Sequence, residues 1–273
     1  MIRSILFPTD FSEVANGAFP LATALAAACG AKILALHVSS SATRRSVDPQ
    51  HDFPEPLDHS VRLERSMISK SKTEGYADVI IRKALRRECD LIVMASHGRS
   101  DVAQFFLGRS VAERVMLESP TPAITIRPFG GRRGARPLDR ITRLAYVTDL
   151  TPASHAVLPA AAAIARGLKI PFDVITALGE GDARLADGGR AEVEKLLSAH
   201  FSPEEAEERR GNFAAVRGGA NAVAERAAGD NVDLLAITAT LGGGARPDRT
   251  AQHLIRNAPC AVLCLNPQVG LST

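Results

Sequence analysis

The chain repeats itself, and this repeat constrains the fold more than any other feature of the sequence. The stretch "LFPTDFSEVANGAFPLA" from Leu6 aligns with "AYVTDLTPASHAVLPAA" from Ala145, so Asp10 matches Asp149 at an offset of 139 residues. Further along, "SPTPAITIRP" aligns with "APCAVLCLNP" at the same offset of 139 residues. A repeat of this length suffices for one compact domain. The sequence therefore predicts two similar domains in tandem.

Length and composition agree with two domains. The chain has 273 residues, of which 45% are hydrophobic, so it can bury two cores of ordinary size. We place the first domain at residues 1–128 and the second at residues 140–268. Between them, residues 129–139 read "FGGRRGARPLD", a composition typical of linkers.

Each copy alternates short apolar runs with alanine-rich stretches. Runs such as "KILALHV" and "DLIVMA" are almost continuously apolar, which indicates parallel strands covered on both faces. This pattern predicts an α/β fold with helices above and below a parallel sheet. A first helix is expected from Ser12, as N-cap, to Cys29, with Pro20 kinking it or marking a late start. A further short helix is predicted near residues 57–65.

Charge and cysteine content exclude several classes of partner. The net charge of +3 gives no electrostatic footprint for nucleic acid or an anionic membrane. The N-terminus lacks a signal-peptide pattern, and no apolar run is long enough to cross a membrane. The cysteines form no CxxC pair and have no histidine at metal spacing, so we interpret them as small buried hydrophobes in a reducing cytosol. These four residues are Cys29, Cys89, Cys260 and Cys264.

A long loop after the apolar run "DLIVMA" is the best candidate for a binding site. It contains Gly98 and Gly108, and Ser110 follows where the next helix is expected to begin. Glycines let backbone amides approach a phosphate, and a helix N-terminus offers unpaired N–H groups. Arg99 and Arg109 can add positive charge. The sequence has neither a Walker A pattern nor GxGxxG, so the loop alone leaves two readings open, a phosphate cradle or a flexible connection.

Three side chains near this loop also have two readings each. Asp10, just past the first strand, can accept hydrogen bonds from a ribose or a base, or it can serve as a helix-start acceptor. Ser110 is either an N-cap or a contact of a γ-phosphate. His97 can act as a general base, but no orienting acid or nucleophile lies near it in the sequence, which favours a hydrogen bond within the loop.

The second copy lacks the long loop. The two copies align at an offset of 139 residues at both ends, but their middle parts align at 143, with Gly218 matching Gly75. The second copy has therefore gained four residues before Gly218 and lost four again after it. The loss falls in the counterpart of the loop, where "GGGARPDRTAQH" stands instead. We therefore expect the second copy to have a mainly structural role or to make protein contacts, and to lack a nucleotide site like the one expected in the first copy.

The tandem arrangement, "FPTDFSE", "GYADVIIRKALRRECDLIVMASHGR" and "LGRSVAERVMLESPTPAITIR" together resemble the universal stress protein family. The resemblance implies two Rossmann-like domains, each a five-stranded parallel sheet sandwiched by helices. Many members bind ATP through a G-x2-G-x9-G-[ST] loop, with an Asp after the first strand and a Val ending the second. By position, the site residues implied here are Asp10, Val38, Ala95, Gly98, Gly108, Arg109 and Ser110. The loop residues His97 and Arg99 complete our set of candidate binding residues. Ala95 replaces the first glycine, and Arg109 occupies the hydroxyl position with Ser110 one residue later.

The resemblance implies a cytosolic stress-response protein that binds ATP or a similar adenine nucleotide, with or without Mg²⁺, in its first domain. It would act as a nucleotide-dependent regulator or scaffold, with at most slow hydrolysis. The alternative is a protein-interaction module whose loop is vestigial and binds no nucleotide. We also expect the fifth strands of the two domains to pair antiparallel, giving an intramolecular pseudo-dimer that can form a homodimer.

Overall fold

The computed structural model describes residues 1–40, 52–56, 58–96, 110–126, 140–179, 189–241 and 248–267. The chain divides into two compact units, Met1–Arg140 and Ile141–Thr273. The linker predicted at residues 129–139 lies outside the described residues. Each unit has its own five-stranded parallel sheet, which confirms the predicted fold class.

The strands of the first unit lie in the order β3-β2-β1-β4-β5, and every neighbouring pair is parallel. In this order β1 and β4 are central, and the chain moves outward from each of them. Its described elements are β1 (Ser4–Pro8), α1 (Glu13–Asn16), α2 (Phe19–Cys29), β2 (Lys32–Ser40), β3 (Leu63–Lys70), α3 (Tyr76–Arg86), β4 (Leu91–Ala95), α4 (Val111–Glu118) and β5 (Ala123–Ile126).

The second unit has the same strand order, β8-β7-β6-β9-β10, with all neighbours parallel. Strands β6 and β9 take the central places of β1 and β4. Its described elements are β6 (Leu144–Thr148), a 3-10 turn (Ser154–Val157), α5 (Leu158–Leu168), β7 (Phe172–Ala177), α6 (Arg190–Ser198), α7 (Pro203–Glu208), β8 (Arg210–Val216), α8 (Gly219–Gly229), β9 (Leu234–Thr238), α9 (Arg249–Asn257) and β10 (Ala261–Leu265).

The burial of the strands explains their sequence patterns. Every residue of β1, β4, β6 and β9 is buried, so successive side chains on both faces are covered. Strand β3 instead alternates exposed and half-buried residues along most of its length. In the first unit β3 pairs with β2 alone, which leaves it less covered. Continuous apolar runs therefore indicate the central strands, and an alternation of exposed and half-buried residues is typical of the outer strand.

The first helix of each unit is interrupted where the sequence has a proline. In the first unit α1 ends at Asn16, and α2 begins at Phe19 with Pro20 within its first turn. In the second unit a 3-10 turn precedes α5, which has Pro159 within its first turn. Proline lacks the N–H that a helix interior needs, but the first turn leaves that group unpaired anyway. At Pro20 the sequence allowed a kink or a late start, and the structure has a break after α1 followed by a new helix that begins at Phe19, with a matching arrangement at Pro159.

The short helix predicted near residues 57–65 is wrong for the part described. Residues 58–60 form a turn in which the Val61 N–H donates to the Asp58 carbonyl at 3.1 Å. Leu63 already begins β3, and Ile33 of β2 pairs with it. The sheet edge offers this segment a ladder of backbone hydrogen bonds, so tertiary pairing overrides its weak helical preference.

An aspartate fastens the amino end of the central strands in each unit. In the first unit the Asp90 carboxylate accepts the backbone N–H groups of Arg3 and Ser4 at 2.8 and 3.0 Å. In the second unit Asp233 accepts the N–H and the hydroxyl of Thr142 at 2.8 and 2.6 Å. Each aspartate directly precedes its inner strand, so the same contact holds β1 to β4 and β6 to β9.

The second unit also contains a buried carboxylate near its amino edge. Asp173 of β7 is 1% exposed and forms an ion pair with Arg143, whose Nε lies 2.8 Å from Oδ2. Its other oxygen accepts the Asn212 N–H at 2.7 Å. The β7–β8 register is irregular here, between Phe172 and Val174. Burial raises the pKa of Asp173 in spite of the hydrogen bond and the cation.

Candidate functional site

The sheet of the first unit opens between its two central strands at their carboxyl ends. Strands β1 and β4 pair only through Ile5–Leu91 and Leu6–Ile92. Beyond this point β1 continues to pair with β2 as far as Pro8, and β4 continues to pair with β5 as far as Ala95. The chain leaves β1 in one direction along the sheet and β4 in the other. Such a switch point is where open α/β sheets bind ligands.

Asp10 lies at this opening, in a tight turn after β1. Its Oδ1 accepts the backbone N–H of Ser12 at 3.0 Å and the Ser12 hydroxyl at 2.6 Å. Ser12 Oγ in turn accepts the N–H of Ala15 and caps α1. Ser12 is therefore the residue that accepts an N–H at the start of α1, and Asp10 holds Ser12 in place through its two hydrogen bonds. This arrangement holds the half-buried Asp10 carboxylate in one orientation beside the opening.

The residue after Asp10 is held in an uncommon backbone conformation. Phe11 has φ of 61°, in the left-handed region that few non-glycine residues adopt. Its N–H donates to Thr9 Oγ1 at 2.9 Å, and the Thr9 hydroxyl donates to Asn16 Oδ1 at 2.8 Å. These two hydrogen bonds stabilise the turn and direct the Phe11 ring towards β2.

Three rings form a cluster beside the opening. Phe11 stacks on His37 of β2, with ring centroids 4.3 Å apart, and meets the edge of Phe53 at 4.9 Å. His37 Nδ1–H donates to the Thr9 carbonyl at 2.9 Å, which fixes the ring. Sequence reasoning missed this cluster, because residues so far apart in the chain give no local signal. Val38, the predicted contact at the end of β2, follows His37 and is half-buried.

Ser110 begins the helix on the other side of the opening. Its Oγ accepts the N–H of Glu113 at 3.1 Å, so it is the N-cap of α4. Ala95 ends β4 and is 8% exposed, and the next residue, Ser96, donates its N–H to the Ile126 carbonyl at 2.8 Å. The structure thus places Asp10 just after β1, Val38 two residues before the end of β2, Ala95 at the end of β4 and Ser110 at the start of α4. The other predicted site residues lie outside the described residues: His97, Gly98, Arg99, Gly108 and Arg109.

The second unit keeps the turn after its first strand. Asp149 Oδ1 accepts the N–H and the hydroxyl of Thr151 at 3.0 and 2.6 Å, as Asp10 does with Ser12. Leu150 has φ of 63°, matching Phe11. Strands β6 and β9 likewise separate at their carboxyl ends, since their pairing stops at Tyr146–Ala236. The turn therefore persists in a copy that lacks the long loop.

The second unit differs at the start of the helix that follows its fourth strand. Asp248 is the N-cap of α9, and its Oδ1 accepts the N–H of Ala251 at 2.6 Å. A carboxylate at this place occupies the helix N-terminus with the protein's own negative charge. Burial, reinforced by the charge of Asp149, raises the pKa of Asp248. Leu241, which aligns with Gly98, is buried, and the glycines from Gly242 to Gly244 lie outside the described residues.

Neither a metal-binding cluster nor a membrane-spanning helix occurs among the described residues. Within the described ranges, no group of three His, Cys, Asp or Glu side chains has the arrangement that would hold a metal ion. No helix of the described part is both long and apolar enough to span a membrane. All four cysteines are free thiols.

Two copies of a five-stranded parallel sheet that opens at its switch point define a Rossmann-like α/β protein. The family model described as "Universal stress protein family" matches residues 1–127. A curated universal stress protein of Thermus aquaticus, from the QAH/OAS sulfhydrylase 3' region, is 31% identical over 142 residues, which cover 46% of this chain and all of the relative. The chain belongs to the universal stress protein family.

Solved structures agree with this fold over both units. A universal stress protein from Archaeoglobus fulgidus matches with a TM-score of 0.67 at 18% identity, covering 96% of each chain. A putative universal stress protein from Pseudomonas aeruginosa matches with a TM-score of 0.67 at 17% identity, covering 98% of this chain and 94% of its own. At such low identity these likenesses establish the fold alone.

Proposed function

We propose that the first unit binds ATP or a similar adenine nucleotide at the opening between β1 and β4. The observation that carries this proposal is a pair of groups, one on each side of this opening. A fixed carboxylate, Asp10, stands after β1, and a helix with a neutral cap, Ser110, begins on the side of β4. The carboxylate suits the hydroxyl donors of a ribose, and the helix end suits phosphates.

The start of α4 is suited to phosphate because its cap is uncharged. The first N–H groups of a helix lack intrahelical partners, and the helix dipole places partial positive charge there. Ser110 satisfies the Glu113 N–H and adds no negative charge. The predicted loop residues Gly98 and Gly108 precede this helix, and Arg99 and Arg109 supply further positive charge.

The ring cluster of Phe11, His37 and Phe53 supports an aromatic base as part of the ligand. A purine ring packs favourably against aromatic side chains, by stacking or through their edges. The cluster lies in the carboxyl half of β2, directly before Val38, which the family resemblance includes among the site residues. The base would then bind on the β2 side and the phosphates on the α4 side.

The role that follows is that of a nucleotide-dependent regulator or scaffold in the cytosol. Nothing in the proposed site requires efficient turnover of the nucleotide, and Mg²⁺ would enter with the phosphates. The pairing of the two fifth strands, and a homodimer, stay predictions. The alternative function is a protein-interaction module that binds no nucleotide.

Mass spectrometry of nucleotide released from the purified native protein, followed by calorimetric titration with ATP, tests the proposal. Wild-type protein should bind ATP, and Gly98→Asp should abolish binding by placing a charged side chain in the loop. Gly242→Asp is the matched control in the second unit and should bind ATP like wild type. A folded wild-type protein that releases no nucleotide and gives no heat with ATP would overturn the proposal and favour the alternative function.

A further inference from the structure

Three buried polar atoms at the carboxyl edge of the second unit have no hydrogen-bond partner. They are Nε2 of His155, Oγ1 of Thr238 and Oγ1 of Thr240. Both threonines are completely buried. Buried polar groups in folded proteins are nearly always paired, so each unpaired group requires an explanation. In the described part of the first unit, the one comparable atom is Thr23 Oγ1 in α2, away from the opening of the sheet.

The backbone register brings Thr238 to the opening of the second sheet. Thr238 ends β9, two residues beyond Ala236, where the pairing with Tyr146 of β6 stops. Since side chains alternate along a strand, Thr238 shares a face with Ala236, and Thr148 shares the matching face with Tyr146. Thr238 therefore lies on the same face as Thr148, across the opening.

The 3-10 turn covers this face. Ser154 Oγ lies 2.8 Å from Thr148 Oγ1, and the Ser154 carbonyl accepts the Tyr146 hydroxyl at 3.2 Å. His155 is the next residue in the turn. The imidazole thus belongs to the element that packs over β6 and β9, close to the end of the strand that carries Thr238.

Two carboxylates border the same opening. Asp149 directly follows Thr148, and Asp248 is tied to the end of β9 by its N–H, which donates to the Ala239 carbonyl at 2.9 Å. Ala239 stands between the two unpaired threonines. The charge of Asp149 contributes to the raised pKa of Asp248, so the two carboxyl groups interact unfavourably. Burial lowers the pKa of His155, which keeps it neutral and able to accept a hydrogen bond.

This edge favours a cation, whereas its counterpart in the first unit is the proposed site of the phosphates. Where the first unit has Ala95 and Ser110, the second has Thr238 and Asp248. A phosphate there would meet a carboxylate on the helix N-terminus and is disfavoured. A ligand with several N–H donors and a positive charge would satisfy the unpaired acceptors and relieve the repulsion between the carboxylates.

We propose that the second unit binds a small organic cation, an ammonium or guanidinium compound, at the edge formed by Asp149, His155, Thr238, Thr240 and Asp248. The positive group lies between the two carboxylates, and the threonine hydroxyls and the imidazole accept its remaining N–H groups. This site is independent of the nucleotide site proposed for the first unit.

Calorimetric titration of the full chain with agmatine, which carries both a guanidinium and an ammonium group, tests this site at physiological salt. Wild-type protein should bind it, and Thr238→Val, which replaces the hydroxyl by a methyl group, should weaken binding by about tenfold. Asp248→Asn keeps a capping oxygen but removes the charge and should weaken binding by at least about tenfold. Thr23→Val, the same change at the unpaired buried threonine of the first unit, is the matched control and should leave the affinity unchanged.

Several outcomes would overturn the cation site. One is wild-type protein that gives no heat with agmatine at millimolar concentration while Thr238→Val raises the melting temperature, because the hydroxyl is then only a strained core group. Equal affinity in wild type, Thr238→Val and Asp248→Asn would place the cation elsewhere. Binding of neutral adenosine that Thr238→Val removes, without binding of agmatine, would assign the edge to a different ligand class. Titration with ATP separates the two proposals, because Asp10→Asn should weaken ATP binding and leave agmatine binding intact.

Discussion

Replacing the cap of α4 by the cap of its counterpart tests the proposed nucleotide site directly. Ser110→Asp should keep the helix, because Ser and Asp are about equally good N-caps, and Asp248 already caps α9 through the Ala251 N–H. The change puts a negative charge where the proposal places phosphates. Stability is therefore expected to stay the same while ATP binding is strongly weakened.

The size of the effect follows from the cap geometry. Ser110 Oγ lies 3.1 Å from the Glu113 N–H nitrogen, so an anion on the neighbouring free amides would be about 5 Å from a carboxylate at the same place. Two unit charges about 5 Å apart repel by about 3 kcal/mol at an effective dielectric constant of about 20. That free energy corresponds to roughly a 150-fold weaker affinity.

Calorimetric titration with ATP measures this loss, and a thermal melt of the same samples measures stability. Ser202→Asp is the matched control, because Ser202 caps α7 in the second unit through the Glu205 N–H and the change adds the same charge away from the opening. This control should bind ATP like wild type. Wild-type affinity in a folded Ser110→Asp variant would refute the placement of phosphates at α4.

Three further predictions concern the second unit. Gly211→Ala would put a methyl group 2.5 Å from the carbonyl of Phe172 in the preceding strand and against Asp173. Chemical denaturation should therefore show a free energy of unfolding lower by about 2–3 kcal/mol. Gly229→Ala, which has open space around the added methyl group, is the control and should be neutral. Asp233→Ala removes two hydrogen bonds to Thr142 and should lower the free energy of unfolding by about 1–2 kcal/mol in the same assay, with no change in ATP affinity. The pKa of His155 lies below its ordinary value of 6.5, so the unfolded chain binds a proton at higher pH than the folded chain. Its contribution to stability is therefore complete above about pH 6.5 and is lost as the pH falls through the lower folded value, so melts between about pH 5 and 8 should show a smaller acid loss in His155→Gln than in wild type.

The repeat and the apolar runs were sufficient to predict the fold. Residues of "DLIVMA" and "DLLAIT" are buried on both faces, so their composition reports directly on a central parallel strand. Pro20 indicated a kink or a late start of the first helix for a local reason, the missing N–H. The short helix predicted near residues 57–65 was wrong for the part described, because the conformation of this segment depends on pairing with β2. No local pattern in the sequence reveals that pairing.

The candidate site could be predicted only where its chemistry is local. Ser110 is recognisable as a cap from its own position before an amphipathic stretch. The contact of Phe11 with His37 joins two strands, and the unpaired hydroxyl of Thr238 depends on three-dimensional neighbours, so neither has a sequence signal. The role of Asp248 was also missed. Its place as a cap became clear only when the starts of α4 and α9 were compared.

The contrast between the two caps has a use beyond this chain. In both copies the Asp after the first strand supports a turn, so its presence alone says little about ligands. The cap of the helix after the fourth strand differs in charge, since it is Ser110 in the first copy and Asp248 in the second, at the position where we propose that phosphates bind. Under our proposal for the nucleotide site, the charge of this one cap predicts which copy of a duplicated chain accepts an anion at the helix N-terminus. The criterion can be applied before any ligand is known.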